Sequence, residues 1–397
     1  MTTDSKSAPN SFVAPHVAAL PHSGIREFFD IVSGCKDVIS LGIGEPDFPA
    51  PWHIRERSID ALERGFTRYT ANLGMPKLRQ ALADYMRRSF HAEYDWQHEI
   101  LVTVGVSEAF DIALRAVISP GDEVLYHEPC FVAYAPLIRM AHGIPVPVNT
   151  YRKDEFRLTV EELEKAVTPK TRVLLLNFPN NPTGATLTKE DTEALADFAI
   201  RHNLVIISDE VYSELTYEGG RTSMAQVERI RDRLIFLNGF SKAWSMTGFR
   251  LGYICASPEL TDAMMKIHQY CMMSAPSISQ MAGLEAVEHG DSDIEEMRTS
   301  YHQRRNFIVA SLNEMGLDCF MPRGAFYVFP SIQSTGLTSR DFAVELLKKH
   351  SVACVPGGAF GACGEGFLRC SYATGMEQLK EAMARIGQFL EEIRKAR

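Results

Sequence analysis

The 397 residues contain no CxxC pair and no Cys/His spacing of the metal-ligand kind, although eight cysteines are present, at 35, 130, 255, 271, 319, 354, 363 and 370. Most have apolar flanks, so buried free thiols in a reducing, cytoplasmic setting are expected. Long uncharged runs are also scarce. The stretch 270–284 lacks charge, but its serines, glutamine and Pro276 make it a poor membrane span. Residues 1–11 are polar and lack the apolar centre of a secretory leader, which leaves a disordered lead-in as the expectation. Internal repeats and low-complexity tracts are absent. The formal net charge of -9 is modest and spread out, which argues against nucleic-acid binding and says little about small substrates.

What is present reads as a globular chain too long for one ordinary core. Hydrophobic residues make up 45% and charged residues 23%, in the usual range for such chains. The middle of the chain alternates short apolar runs with helical spacing. Strands are expected at 100–104, 123–126, 172–177, 204–208, 234–237 and 251–255. A helix is expected over 107–118, another from the N-cap Thr188, and another from Ser257 with Pro258 at its first position. This alternation predicts an α/β domain with a mostly parallel sheet. The end of the chain differs. Leu379, Met383, Ile386, Leu390 and Ile393 recur at helical spacing and predict one long amphipathic helix in a smaller α+β unit. The boundary is expected near 285–300.

Ligands of open α/β sheets bind beyond the carboxyl ends of the strands. The polar motifs of this chain fall there. Gly105-Val106-Ser107 follows the first predicted strand, and Asn180-Asn181-Pro182-Thr183-Gly184 follows 172–177. Asp209, Glu210 and Tyr212 follow 204–208, and Ser241 and Lys242 follow 234–237. Each motif alone has an ordinary reading as a turn, a helix start or solvated surface. Together they match the needs of a phosphorylated pyridinium aldehyde. Ser107, Ser241 and Arg250 can serve a phosphate. Asp209 can hold a ring nitrogen protonated. Asn181 and Tyr212 can serve a phenolic oxygen, and Lys242 can take the aldehyde.

At this point the sequence resembles the class I/II, fold-type I aminotransferases, in the branch of the aspartate and aromatic enzymes. The likeness runs from about Gly24 to the last helix. It is carried by SLGIGEPDFPAPW (40–52), YTANLGM (69–75), VGVSEAF (104–110), PGDEV (120–124), NPTG (181–184) and SDEVY (208–212). It continues through GFSKAWSMTGFRLGY (239–253), RGAFYVFP (323–330), PGGAFG (356–361) and FLRCSYAT (367–374).

The resemblance implies pyridoxal 5'-phosphate (PLP) as cofactor, held as a Schiff base on Lys242, with Lys242 also moving the proton at Cα. It implies Asp209 as partner of the ring nitrogen, Asn181 and Tyr212 as donors to the phenolic oxygen, and Phe131 stacked on the ring. Val106 and Ser107 amides, Ser241 and Arg250 form the implied phosphate cup. Tyr69 would reach the phosphate of the other subunit of a homodimer with composite sites. Arg369 would clamp the substrate α-carboxylate, with the Gly44 amide beside it.

The implied fold has a seven-stranded, mostly parallel sheet in a large domain (48–290). A small domain combines 23–47 with 291–397, after an N-terminal arm (1–22). The implied reaction moves an amino group from an L-amino acid to a 2-oxo acid such as 2-oxoglutarate. Some dicarboxylate-preferring relatives carry lysine where this chain has Ser107, and Cys130 and Phe249 stand where relatives often have Tyr and Trp. Phe131, Ile25 and Phe360 could line an apolar pocket. Aromatic, aliphatic or methionine-like donors are therefore expected, with aspartate, alanine or an acyl-diaminopimelate as alternatives. The fold alone leaves a C–S lyase open. A cofactor-binding regulatory module is disfavoured, because the enzyme-like pattern begins by about Gly24.

Overall fold

The computed structural model describes residues 12–20 and 37–395. Expectations for residues 1–11 and 21–36, Ile25 and Cys35 among them, and for the last two residues lie outside that range.

A short strand β1 (Ile39–Ser40) precedes the main sheet. That sheet contains β2 (Ile100–Thr103), β3 (Glu123–Glu128), β4 (Ile144–Asn149), β5 (Thr171–Asn177), β6 (Val205–Asp209), β7 (Leu234–Gly239) and β8 (Gly252–Ala256). Their spatial order is β2-β8-β7-β6-β5-β3-β4. Only β8 runs opposite to the common strand direction of the sheet.

Strand side chains alternate between faces, so a strand buried on both sides must be apolar throughout. Val173, Leu175, Val205, Ile207, Ile235 and Leu237 share one core, with Phe110, Leu114, Ile138 and Met264 from covering helices. Leu174, Leu176, Ile206, Leu234 and Phe236 share the other, with Leu78, Leu82, Leu195 and Phe198. Each fully buried aliphatic side chain contributes roughly 1.5–3 kcal/mol. This two-sided burial is why the short apolar runs form the middle of the sheet. Strand β4 carries Pro145 and Pro147, which would break a central ladder. It lies at the sheet edge, paired with β3 alone.

The helix starts follow local chemistry. Thr188 and Asp191 form a reciprocal capping box, with Thr188 Oγ1 accepting from the Asp191 amide at 3.1 Å and Asp191 Oδ2 accepting from the Thr188 amide at 2.8 Å. Pro258 does open its helix, but the Ser257 hydroxyl makes no capping bond, so proline's fixed φ sets that start.

The C-terminal part has a third core. A three-stranded antiparallel sheet is formed by β9 (Tyr327–Val328), β11 (Val355–Pro356) and β12 (Leu368–Ser371), and β10 (Val352–Ala353) pairs in parallel with β1. The last helix, Met376–Lys395, buries Leu379, Met383, Ile386 and Leu390 against this core. The 24-residue helix Asp291–Glu314 joins this core to the sheet-face core of Leu174 and Phe236, with Ile294 in the latter and Met297, Tyr301, Ile308 and Leu312 in the former. No helix among the described residues is long and apolar enough to cross a membrane.

Candidate active site

The carboxyl ends of β2, β3, β5, β6 and β7 open onto a cavity of about 560 Å³. The reversed direction of β8 brings its leading residue Arg250 back to the same edge. Among the described residues, every site residue expected from the sequence lines this cavity except Tyr69 and Phe360. Residues as far apart in the chain as Gly44 and Arg369 thus meet on one wall.

Lys242 lies on the single helical turn Phe240–Ala243 that follows β7. Its Nζ donates to the Gly44 carbonyl at 2.7 Å. Burial pushes the ammonium down to about 8; Glu45 opposes this shift, and the Arg369 and Arg250 guanidinium groups add to it. Asp209 ends β6 and is buried. It accepts from the Tyr134 hydroxyl through Oδ2 at 2.7 Å and from the Val211 amide through Oδ1 at 3.3 Å. Burial raises its carboxyl to about 6, against the lowering effect of those two donors and of Lys242.

The neighbouring Glu210 faces away from the cavity. It takes bonds from Ser208, Ser213, Ser223 and the Met224 amide, so it ties the loop after β6 together. The two asparagines of the β5 loop also divide their tasks. Asn180 builds the turn, accepting from Thr183 N at 3.0 Å and Thr183 Oγ1 at 2.7 Å. Asn181 lines the cavity, its amide donating to Asn177 Oδ1 at 3.2 Å. Asn177 in turn donates to the Asp209 carbonyl at 3.1 Å, locking the ends of β5 and β6 together.

Arg369 on β12 is buried and donates from Nη1 to Asn181 Oδ1 at 3.1 Å. Its Nε is buried without a hydrogen-bond partner. The guanidinium carbon packs 4.8 Å from the Tyr327 ring and 4.9 Å from the Phe360 ring. Phe360 therefore stands behind Arg369 instead of lining the cavity, because a planar cation stacks well on an aromatic face. A Cβ at Gly44 would come within 2.8 Å of the Tyr327 hydroxyl, so this wall admits only glycine without a shift.

The opposite wall is the start of the Gly105–Val117 helix. Gly105 has φ of 73° and a Cβ there would lie 2.9 Å from Arg250 Nη2. Arg250 itself is left-handed at φ of 51°, a conformation that costs a non-glycine residue about 1 kcal/mol. The strained arginine, a helix N-terminus with free amides, Ser107 and Ser241 make an anion cup.

Fitness for a phosphorylated pyridine aldehyde rests on this donor set. The cup is cationic and cradled by a missing Cβ, the carboxylate is desolvated, the lysine has a depressed ammonium, and one guanidinium N–H lacks a partner. The pattern of the family described as "Aminotransferase class I and II" matches residues 36–386. The chain belongs to this family.

The aminotransferase is 47% identical over 373 residues to an aspartate aminotransferase of Pyrococcus abyssi, covering 93% of this chain and 96% of that one. It is 45% identical over 373 residues to aromatic-amino-acid aminotransferase 2 of Thermococcus litoralis, with the same shares of 93% and 96%. The crystal structure of an aromatic aminotransferase from Pyrococcus horikoshii superposes with a TM-score of 0.89 at 46% identity, covering 94% of this chain and 99% of that one.

Three cavity residues of the aminotransferase carried no signal strong enough to find them in the sequence. Tyr134 reads as a core aromatic of an amphipathic helix. Tyr327, whose hydroxyl bonds that of Tyr212 at 2.8 Å, lies within RGAFYVFP with nothing to mark it as functional. Glu45 accepts a bond from Thr247, another residue of the cavity lining, a pairing between residues 202 apart in the chain. Tyr69 is 82% exposed and outside the cavity, on a loop where Asn72 donates to the Met273 carbonyl at 2.7 Å.

Proposed function

We propose that this aminotransferase carries PLP on Lys242 and moves the amino group of aromatic, aliphatic or methionine-like L-amino acids to a 2-oxo acid such as 2-oxoglutarate. The observation that carries the reading is the convergence of Lys242, Asp209 and the Gly105–Arg250 cup in one cavity. Bound PLP supplies an electron sink for the charge left at Cα when its proton departs.

The chain's own groups do the rest. Lys242, as a neutral amine, is the base for that proton, and its depressed ammonium favours the neutral form near pH 8. Asp209 would face the ring nitrogen, and a cation beside it would restore the ionised carboxylate that burial disfavours. Asn181 and Tyr212 would donate to the phenolic oxygen. The Val106 and Ser107 amides, Ser241 and Arg250 would hold the phosphate, and Phe131 would stack on the ring. Arg369 and the Gly44 amide would take the substrate α-carboxylate, for which the planar guanidinium of Arg369 on the cavity wall is suited.

The three cavity cations, Lys242, Arg250 and Arg369, then each have a task. Phe110, Phe131, Ala133 and Leu137 supply apolar lining for the substrate side chain. A homodimer in which Tyr69 completes the partner's cup fits the exposure of that side chain. The division into a large domain over 48–290 and a small domain of 23–47 with 291–397 is supported by the separate C-terminal core, drawn mostly from residues after 296, with closure excluding water from the reacting centre. The setting is cytoplasmic.

Borohydride reduction of the PLP-loaded protein followed by peptide mapping tests the central claim. A pyridoxyl label on the Lys242 peptide is expected; a label elsewhere, or none in loaded protein, sinks it. A panel of amino acids with 2-oxoglutarate tests the substrate class, and a clear preference for aspartate overturns that part alone.

A further inference from the structure

Asp209 takes a hydrogen bond from Tyr134, a cavity side chain that the reading above leaves without a role. Tyr134 opens the helix Tyr134–Met140, and its amide donates to the Phe131 carbonyl at 3.2 Å. A single turn after β3 therefore carries both Phe131 and Tyr134. The Tyr134 ring is buried, 4.9 Å from the Phe110 ring and edge-on to Phe131 at 5.7 Å. These two rings thus fix where its hydroxyl points. That hydroxyl meets Asp209 Oδ2 at 2.7 Å, within the same cavity.

The bond has a direction. A buried tyrosine next to a carboxylate does not ionise, so it donates and the carboxylate accepts. Two donors reach Asp209, the Tyr134 hydroxyl on one oxygen and the Val211 amide on the other. A carboxylate offers about four lone-pair sites, so acceptor capacity remains for a ring N–H. Donors to the charged form favour it, and they also stop the side chain from rotating.

We propose that Tyr134 is a positioning residue, acting through Asp209, that holds this carboxylate ionised and aimed so that it keeps a bound pyridine nitrogen protonated. The role rests on the PLP reading of the site. The bland alternative is a core tyrosine whose hydroxyl found the nearest acceptor. The two differ in what removal of one oxygen atom does. In a purely structural role, Tyr134→Phe lowers thermal stability and leaves the cofactor's electronic state alone. In the positioning role the ring still packs on Phe110 and Phe131, and Asp209 loses its donor.

The test compares wild type, Tyr134→Phe, Asp209→Ala and the double variant, each loaded with PLP labelled with 15N in the ring. Three quantities are read: the ring 15N chemical shift, the PLP dissociation constant, and kcat apart from KM. Tyr134→Phe should move the 15N shift towards that of the unprotonated pyridine, weaken PLP about 5-fold, and lower kcat about 10-fold with KM within about 2-fold, as loss of a hydrogen bond to a charged group predicts. In the Asp209→Ala background it should change none of the three. Tyr134→His, which can again donate, should recover part of the loss and serves if the phenylalanine variant folds poorly. An unchanged 15N shift and PLP affinity in Tyr134→Phe overturns the proposal while leaving the site reading intact, as does an equal effect in the absence of Asp209. Failure of the wild type to bind PLP overturns both.

Discussion

Arg369 donates to Asn181 Oδ1 at 3.1 Å across 188 residues of chain, and this bond spans from β12 of the C-terminal core to the loop after β5 of the main sheet. Asn181 is thereby held between two tasks, facing the proposed phenolic oxygen and steadying the proposed carboxylate clamp. A lysine could supply the charge of Arg369 but neither the fork nor the stacking on Tyr327 and Phe360. Arg369→Lys should lower kcat/KM roughly 100-fold, mostly through KM, as loss of two charge-assisted bonds implies. Steady-state kinetics check this. A change below about 3-fold would place the carboxylate elsewhere.

Asp209 gives a pH prediction for the cofactor-free protein. Its carboxyl rises from 3.8 to about 6 on folding because it is desolvated. The folded state then holds the proton more tightly, so the contribution to stability is full below about pH 4 and is lost as pH rises through about 6. Asp209→Asn should therefore stabilise the cofactor-free protein at pH 7–8, by an amount on the order of 2 kcal/mol, while abolishing turnover. Thermal melts of both proteins at pH 4 and pH 8 read this directly; equal melting differences at the two values would contradict it.

Lys242 titrates with the opposite consequence. Its ammonium falls from 10.5 to about 8, chiefly by burial. The unfolded chain binds the extra proton between these values, so this group raises stability as pH climbs from about 8 to 10.5. The neutral amine is also the nucleophile. The rate at which the cofactor-free protein takes up PLP should rise across pH 7–8 and level off by about pH 9. Stopped-flow absorbance would show it, and a rate still rising steeply at pH 10 would mean an ordinary lysine.

Gly105 should tolerate no side chain. Alanine at φ of 73° is strained by about 1–2 kcal/mol, and its Cβ would press on Arg250 Nη2. Gly105→Ala should weaken PLP at least about 10-fold through the cup while leaving pyridoxal, which has no phosphate, much less affected. Dissociation constants for the two compounds separate this from general unfolding.

Much of the catalytic apparatus was legible in the linear chain, because its parts are local. Apolar runs such as 172–177 can satisfy themselves only as strands buried on both faces, and each is followed at once by its functional residue. Asp209 ends its strand, and Lys242 and Asn181 lie three and four residues beyond theirs, so strand placement alone brings them to one edge. Pattern reading passed over β4, because Pro145 and Pro147 argue against a strand and only its position at the sheet edge makes them harmless.

The amino-acid order by itself thus settled the α/β architecture and the set of groups at the strand ends, since hydrophobic period and turn chemistry act over a few residues. The three-dimensional packing alone decided which aromatic hydroxyl meets Asp209, why Phe360 backs Arg369 instead of facing the cavity, and how the reversal of β8 returns Arg250 beside Gly105. Those contacts depend on how helices and sheets stack across distances that no local spacing encodes.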